Sequence, residues 1–453
     1  MKEFTPEYID TIRGIIGEHD DERARKALAD LHPADIAELY QDLDLEEAEY
    51  LYQLLDDETA AEVLMELDND DRHKILEDMP AEMIAKQIDH LDTDDAVDLI
   101  QQLDEEDRDE ILSHIDDVEQ AGDIIDLLKY DEDTAGGLMG TEMLVVNENL
   151  SMPECIKELR TQAEDMDEIY YVYVVDNDYK LRGVLPLKKL ITHPSVSKIK
   201  HVMEVDPACV KDDTPIDEVA HDFEKYDLVA MPVVDSIGRL LGRITVDDIM
   251  DEVRESSERD YQLASGLSSD VDADDSIFAQ TKARIPWLLI GIASGILASI
   301  ILSGFEAQLQ AVTALALFIP IIGGTGGNVG VQASAIVVQG LANGSLDIRE
   351  FSRQLGKEFL IGLLNASVIT SVILVYNLIV MPSQLAVTLS VAVSLFVVVM
   401  FATILGTVVP LTLEKLHINP ALATGPFIQI SNDIVGLLIY VGISTWFLHV
   451  FGL

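Results

Sequence analysis

Asp433 is the residue whose surroundings make its chemistry most specific. It stands in the run PALATGPFIQISNDIVG, and no other side chain between Pro420 and His449 is an acid or a base charged at neutral pH. A charge at mid-bilayer costs roughly 2.5–3.5 kcal/mol even on the lenient insertion scale, so an acid there requires compensation. One reading is structural: the acid is protonated, or pairs with a neighbouring Asn or Lys, although the apolar segments contain no Lys or Arg. The other is an ion site. Asn432 and Thr424 would add neutral oxygens from the same span, and Gly425 and Pro426, two turns earlier, interrupt the helical hydrogen-bond ladder. One carboxylate per chain is too little for a cage around a bare divalent ion, but Mg²⁺ retains several waters and suits a ring of oxygens around a hydrated ion. Two chains about a twofold axis would supply two such carboxylates, so we expect a homodimer with its pore on or beside the axis.

A second acidic constellation precedes the apolar half. Asp247, Asp251, Glu255 and Glu258 are spaced i, i+4, i+8, i+11 and share one face of a helix expected over about 247–263. Like charges at that spacing destabilise a helix. Bound cations would relieve the repulsion, which marks this stripe as a candidate regulatory metal site and gate element; the alternative is a solvated linker helix.

Upstream, the strands expected at 171–176 (YVYVVD) and 229–235 (VAMPVVD) are each followed by a turn and Leu-x-Gly, with Gly183 and Gly242 59 positions apart. This repeat resembles tandem CBS domains, small β–α modules that pair about a pseudo-twofold axis. The resemblance implies an adenine-nucleotide site, such as one for ATP, where a Gly-h-h-Thr/Ser-x-x-Asp run sets a hydroxyl and a carboxylate against ribose. The second copy keeps both groups, as Thr245 and Asp248, whereas the first has Pro186 and Lys189 in their places. A purely structural, dimerising role is the alternative.

Other motifs carry less. Asp131-x-Asp133-x-x-Gly136 with Glu142 mimics a Ca²⁺ loop, but Ala135 fills a ligand position and MLVVNENL reads as a strand. GGTGGNVG at 323–330 lacks the Gly-Lys-Ser/Thr ending of a phosphate loop; inside an apolar segment its small residues allow close helix approach, and backbone they release can line a cavity. With no Ser-His-Asp or Cys-His arrangement and no histidine cluster of metal-ligand spacing, an enzyme is not expected.

The elements that position these residues follow from charge and hydropathy. Of the formal net charge of −52, residues 281–453 contribute nothing, with six bases against six acids, so 24 bases and 76 acids lie in residues 1–280. Such a surface repels phosphate backbones and anionic headgroups, which excludes nucleic acid and favours cations. Residues 18–130 read as short amphipathic helices punctuated by Leu-Asp-acid-acid, a stacked helical repeat whose acids are mostly N-caps or solvated faces. Five apolar segments, near 285–304, 311–340, 359–381, 385–413 and 420–451, are each long enough to span a bilayer. All six bases of this half flank the connections on one side, placing the N-terminus in the cytosol and the C-terminus outside. The start has no apolar signal region, so the acidic half is expected to stay cytosolic.

The expected architecture is thus a multidomain membrane protein. An all-α helical-repeat domain (1–130) precedes α/β tandem CBS domains (131–246), an acidic connecting helix and linker (247–281) and a five-helix transmembrane domain (282–453). In this order, with GGTGGNVGVQ in the second span and PALATGPF…SND in the fifth, the chain resembles the MgtE magnesium channels over nearly its whole length. The resemblance implies a Mg²⁺ channel of the cell membrane with its pore carboxylate at Asp433. It also implies that the connecting helix plugs the pore when cytosolic Mg²⁺ is high. Co²⁺ and Mn²⁺ are further candidate ions. The chain departs from the family at Asn419, where an acid is frequent, and at Gly425, where Asn is frequent. A transporter coupled to H⁺ or Na⁺ and a CBS-regulated anion channel are the other classes, the latter disfavoured by the acidic charge.

Overall fold

The computed structural model describes residues 4–451 apart from 30, 78, 164, 165, 167, 168, 195, 196, 270, 272–274, 343, 344, 347–350 and 381–384. Arg349, Asp347, Glu350 and nearly all of the expected external connection at 381–385 lie outside the described residues. Two compact units divide the chain, Met1–Val253 and Arg254–Leu453.

The first unit opens with ten short helices: α1 Pro6–Gly17, α2 Asp21–Leu28, α3 Pro33–Gln41, α4 Leu45–Tyr52, α5 Asp57–Glu66, α6 Asn69–Glu77, α7 Ala81–Ile88, α8 Thr93–Gln101, α9 Glu105–Leu112 and α10 Val118–Leu127. Their punctuation acids do cap helices. Asp20, Asp44, Asp56 and Asp117 accept backbone N–H groups of the turns that follow, and Asp44 with Glu47 closes a capping box. The Leu-Asp-x-x-Asp-Arg runs ending at Arg72 and Arg108 add a device at the opposite helix end. Arg72, buried, donates to the carbonyls of Leu64 (2.9 Å), Met65 (2.7 Å) and Leu67 (3.0 Å), which the end of α5 leaves without helical partners. Arg108 does the same for Gln101 and Leu103 after α8. Both runs thus cap the previous helix with their Arg, and the first also caps the next helix with Asp68, which accepts Asp71 N–H at 2.9 Å.

Two β–α modules follow. β1 Leu144–Asn147, β2 Val172–Val175, β3 Leu181–Leu185 and β4 Glu204–Val205 form one sheet in that order, with α11 Met152–Gln162 and α12 Leu187–Thr192. The second sheet is β5 Val210–Lys211, β6 Ala230–Val234 and β7 Leu240–Thr245, with α13 Ile216–Tyr226. The modules meet at their matching turns, where Leu181 N–H donates to Gly238 O at 3.0 Å and Leu240 N–H to Tyr179 O at 3.1 Å. Asp176 and Asp235 pin those turns by accepting two backbone N–H groups each, which together with Arg182 and Arg239 explains why the repeat keeps Asp before Leu-x-Gly. From β7 the chain enters α14, Val246–Ser265.

In the second unit, α15 Ile277–Gly304 is followed by α16 Glu306–Ala311, a 3₁₀ turn Thr313–Phe318, α17 Ile319–Ala342, α18 Phe351–Val380, α19 Leu385–Lys415, a 3₁₀ turn Pro420–Ala423 and α20 Gly425–Phe451. Five of its helical segments are long and apolar enough to cross a membrane. α19 forms the centre, with α17, α18 and α20 against it and its Val391, Leu395, Val398 and Ala402 fully buried. The helices overrun several expected limits. α15 begins at Ile277 because Ser276 Oγ caps it at Ala279 N–H (3.2 Å), carrying Lys282 and Arg284 on a continuous helix. The second span opens as a 3₁₀ turn, held by a hydrogen bond from Tyr440 Oη to Leu315 O at 2.7 Å. GGTGGNVG is wholly α-helical within α17, so its glycines serve close approach and release no backbone.

Arg72→Ala leaves three carbonyls at the α5 terminus without their shared donor. We expect it to cost about 2–3 kcal/mol, the range for losing a charged hydrogen-bonding partner from a buried site. Pulse proteolysis of the full chain in a urea series measures it, with Arg23→Ala, an exposed ion pair to Glu18, as reference. Equal losses in the two variants would refute the capping role.

Candidate functional site

Asp433 lies half-buried on α20 with its carboxylate against α17, where a Cβ at Gly323 would stand 3.3 Å from Asp433 Oδ1. Two further glycines of α17 receive polar groups of α20: a Cβ at Gly327 would overlap the Gln429 amide, and one at Gly330 the Asn432 amide. Gly323, Gly327 and Gly330 are thus a groove shaped to three polar side chains inside an apolar bundle. Asn432 is fully buried and, among the described residues, neither its nitrogen nor its oxygen has a partner, whereas Gln429 Nε2 lies 3.5 Å from Asp433 Oδ1. Thr424 is differently employed. It is buried with extended backbone, and its hydroxyl donates to Ala421 O at 2.7 Å, closing the 3₁₀ turn before α20. Gln429 is absent from the sequence reading; its signal was the i, i+4 spacing to Asp433.

The entrance to α20 meets the end of α14 within the same unit. Asn419 Oδ1 accepts Ala421 N–H at 2.8 Å and its Nδ2 donates to Asp260 Oδ1 at 2.8 Å, so an amide forms directly the link that an acid could make only through a cation. Gly425 takes φ +28, and a Cβ there would overlap the Ala264 carbonyl. Both departures at 419 and 425 therefore have a local reason: a direct hydrogen bond, and a close backbone approach that only glycine permits. Asp247, Asp251, Glu255 and Glu258 are all exposed on α14.

A second acidic site, unforeseen in the sequence, lies in the first unit. One carboxylate oxygen from each of Asp92, Asp94 and Glu142 lies within 4.8 Å of the others. Asp95, Asp247 and Asp248 line the same cavity, where Arg243, 3.4 Å from Asp92, is the one base among the described residues. Burial, then the repulsion of Asp248 and its neighbours, raises Asp94 well above the usual carboxylate range and pushes Asp95 up to about 7; burial also raises Glu142 and Asp248. An all-oxygen set of this kind suits a hard cation such as Mg²⁺. The motif pair Thr245 and Asp248 is brought together here, the hydroxyl donating to the carboxylate. Glu142 leaves the Ca²⁺-loop pattern and instead accepts Thr93 N–H at 3.1 Å.

Family models match three stretches of the chain: the MgtE intracellular N domain over 31–133, CBS domains over 135–195 and 199–255, and the MgtE divalent cation transporter domain over 319–443. The magnesium transporter MgtE of Thermus thermophilus is 37% identical over 325 residues, 70% of this chain and 71% of that protein. That of Bacillus subtilis is 33% identical, covering 71% of each. Among solved structures, the cytosolic domain of a Mg²⁺ channel MgtE in complex with ATP superposes with TM-score 0.51 at 33% identity, over 54% of this chain and 99% of that one. The soluble part of a magnesium transporter gives TM-score 0.50 at 30% identity, over 55% of this chain and 98% of that one.

The acidic cluster has a pH signature. Unfolded, its carboxylates ionise near pH 4; folded, Asp95 keeps its proton to about 7. The unfolded chain then binds fewer protons between those values, so stability in chelator should fall as pH rises from about 4 to about 7. Mg²⁺ should restore it most above pH 7, where the carboxylates are charged. Thermal unfolding of the full chain at several pH values, with EDTA or Mg²⁺, checks this, and a Mg²⁺ effect independent of pH would contradict it.

Proposed function

The chain belongs to the MgtE family of divalent cation transporters, which are not enzymes, and from that premise we propose that it is a Mg²⁺-selective channel closed by cytosolic Mg²⁺. It imports Mg²⁺ as a homodimer in the cell membrane, with its N-terminus in the cytosol and its C-terminus outside. The observation that carries the reading is Asp433, an acid in an apolar helix facing a groove of glycines, with a fully buried and unpartnered Asn432 beside it. A cation passing this point would supply the charge that the protein withholds. Asp433 would hold the hydrated ion, with Asn432 near it and Thr424 shaping the turn that opens α20.

Regulation in this reading rests on the acids of α14 (Asp247, Asp251, Glu255, Glu258) together with the cluster of Asp92, Asp94, Asp95, Glu142 and Asp248. Cytosolic Mg²⁺ neutralises their repulsion and favours the closed state, in which the end of α14 holds the entrance of α20 through Asp260 and Asn419. Moving a two-state gate from 1:99 to 99:1 takes roughly 5.5 kcal/mol of differential binding, more than one weak site supplies but within reach of several. ATP, bound by the relative's cytosolic domain, enters as a modulator at Thr245 and Asp248, whose mutual hydrogen bond would open to admit the ribose. A coupled secondary transporter is the competing mechanism, and discrete single-channel steps separate the two.

Asp433→Ala should nearly abolish Mg²⁺ conductance in reconstituted protein that still folds, and Asp433→Asn should lose less, keeping an oxygen without the charge. Uptake by the alanine variant at the wild-type rate would remove Asp433 from the pore. Neutralising Asp247, Asp251, Glu255 and Glu258 together should leave the channel open at millimolar cytosolic Mg²⁺ with unchanged ion preference. Patch-clamp recordings with Mg²⁺ varied on the cytosolic face decide this; closure at the wild-type concentration would exclude the α14 stripe as sensor.

A further inference from the structure

Gln429, one turn earlier on the same helix, reaches the Asp433 carboxylate. A carboxylate only accepts hydrogen bonds, so the amide NH₂ is the end that faces it, 3.5 Å from Oδ1. Space for that amide exists because position 327 is glycine: a Cβ there would overlap the Gln429 carbonyl oxygen, nitrogen and Cδ at once. Asn432, on the same groove, shows that this part of the bundle holds polar groups for more than packing, since its buried amide meets no protein partner.

We propose that Gln429 is a specificity-determining residue of the conduction site, an inference that rests on Asp433 being that site. Its NH₂ occupies one acceptor position of the carboxylate, and its carbonyl oxygen is left to accept from water. A cation that binds both oxygens of Asp433 directly must first displace this donor. Mg²⁺ sheds water reluctantly and usually keeps several of its waters, so it can pass with those waters donating to the free carboxylate oxygen and to the Gln429 carbonyl. Ca²⁺ takes carboxylates directly, mono- or bidentate, in flexible geometry, and bears the cost of displacement. Gln429 thereby favours the ion that arrives hydrated, and Gly327 contributes by keeping the amide in place.

The test measures reversal potentials of the reconstituted full chain under Mg²⁺ on one side and Ca²⁺ on the other. Gln429→Met keeps the volume of the side chain and removes the amide. It should raise Ca²⁺ permeability relative to Mg²⁺ about three- to tenfold, the span that one weak to ordinary hydrogen bond covers, while Mg²⁺ current persists. Gly327→Ala should move the ratio in the same direction by expelling the amide from its place, and the double variant should match Gln429→Met alone. A wild-type ratio in Gln429→Met overturns the proposal, as does a double variant that returns to the wild-type ratio, because mutual compensation is the mark of a packing pair. Asp433→Ala distinguishes the two levels of failure. If that variant conducts normally, the pore reading falls and this inference with it; if it is silent while Gln429→Met keeps the wild-type ratio, only the role of Gln429 falls.

Discussion

Removing water from a carboxylate is costly unless donors or a positive charge replace it, and this constraint sorts the acids of the chain. Most of the 82 acidic residues avoid the cost by staying on the surface or by accepting N–H groups at helix starts, as Asp44, Asp56 and Asp117 do. A few are placed where compensation is incomplete. Asp433 has one amide at the limit of hydrogen-bonding distance, and among the described residues the cluster of Asp92, Asp94, Asp95, Glu142 and Asp248 has Arg243 as the one base lining its cavity. Both deficits would be removed by the same visitor, a hard divalent cation, which in the proposed function lets one ion serve as cargo and signal.

The scaffolds differ as their tasks do. In the membrane unit the polar groups sit on α20, and the accommodation is made by subtraction on α17, where glycines leave volume for Asp433, Gln429 and Asn432. Backbone hydrogen bonds stay intact because α17 remains helical, as hydrocarbon demands. α19 repeats the device at Gly406, where a Cβ would overlap the Gly330 carbonyl. Small residues thus bring three helices close together. In the first unit the acids of α8 meet Glu142 and Asp248 through packing between sequence-distant elements, and Arg72 and Arg108 cap the ends of the short helices nearby.

How much of this was legible follows from the same physics. Asp433 stood out because a lone acid in an apolar run has no ordinary explanation, and the five spans and the paired β–α modules followed from hydropathy and from the matched Asp and Leu-x-Gly positions. Asp94 and Asp95 were invisible, and Glu142 showed only as the last position of a Ca²⁺-loop mimic. In a half-chain with 76 acids, nothing local separates a buried Asp from a capping one, and the partner that buries them is 49 positions away, where Thr93 meets Glu142. Gln429 was hidden for another reason: a neutral amide in a span raises no alarm until the glycine opposite it is seen to make room. The helical state of GGTGGNVG was likewise beyond composition, since glycine permits both an unwound loop and a tightly packed helix.

The two kinds of site should differ in affinity, and the carboxylate count says in which direction. Conduction needs an ion held weakly enough to leave; one half-exposed acid per chain, with neutral amides around it, is suited to a hydrated ion in transit. Sensing needs occupancy to track concentration, and several half-buried carboxylates that repel one another gain more from a cation than one does. The same repulsion raises their proton affinity, so Asp95 titrates near neutral pH. In the proposed reading protons and Mg²⁺ would compete for the cluster while relieving the same strain. In the proposed gating, cytosolic acidification would replace part of the effect of Mg²⁺ on the closed state and weaken its binding, a coupling that follows from the burial of like charges.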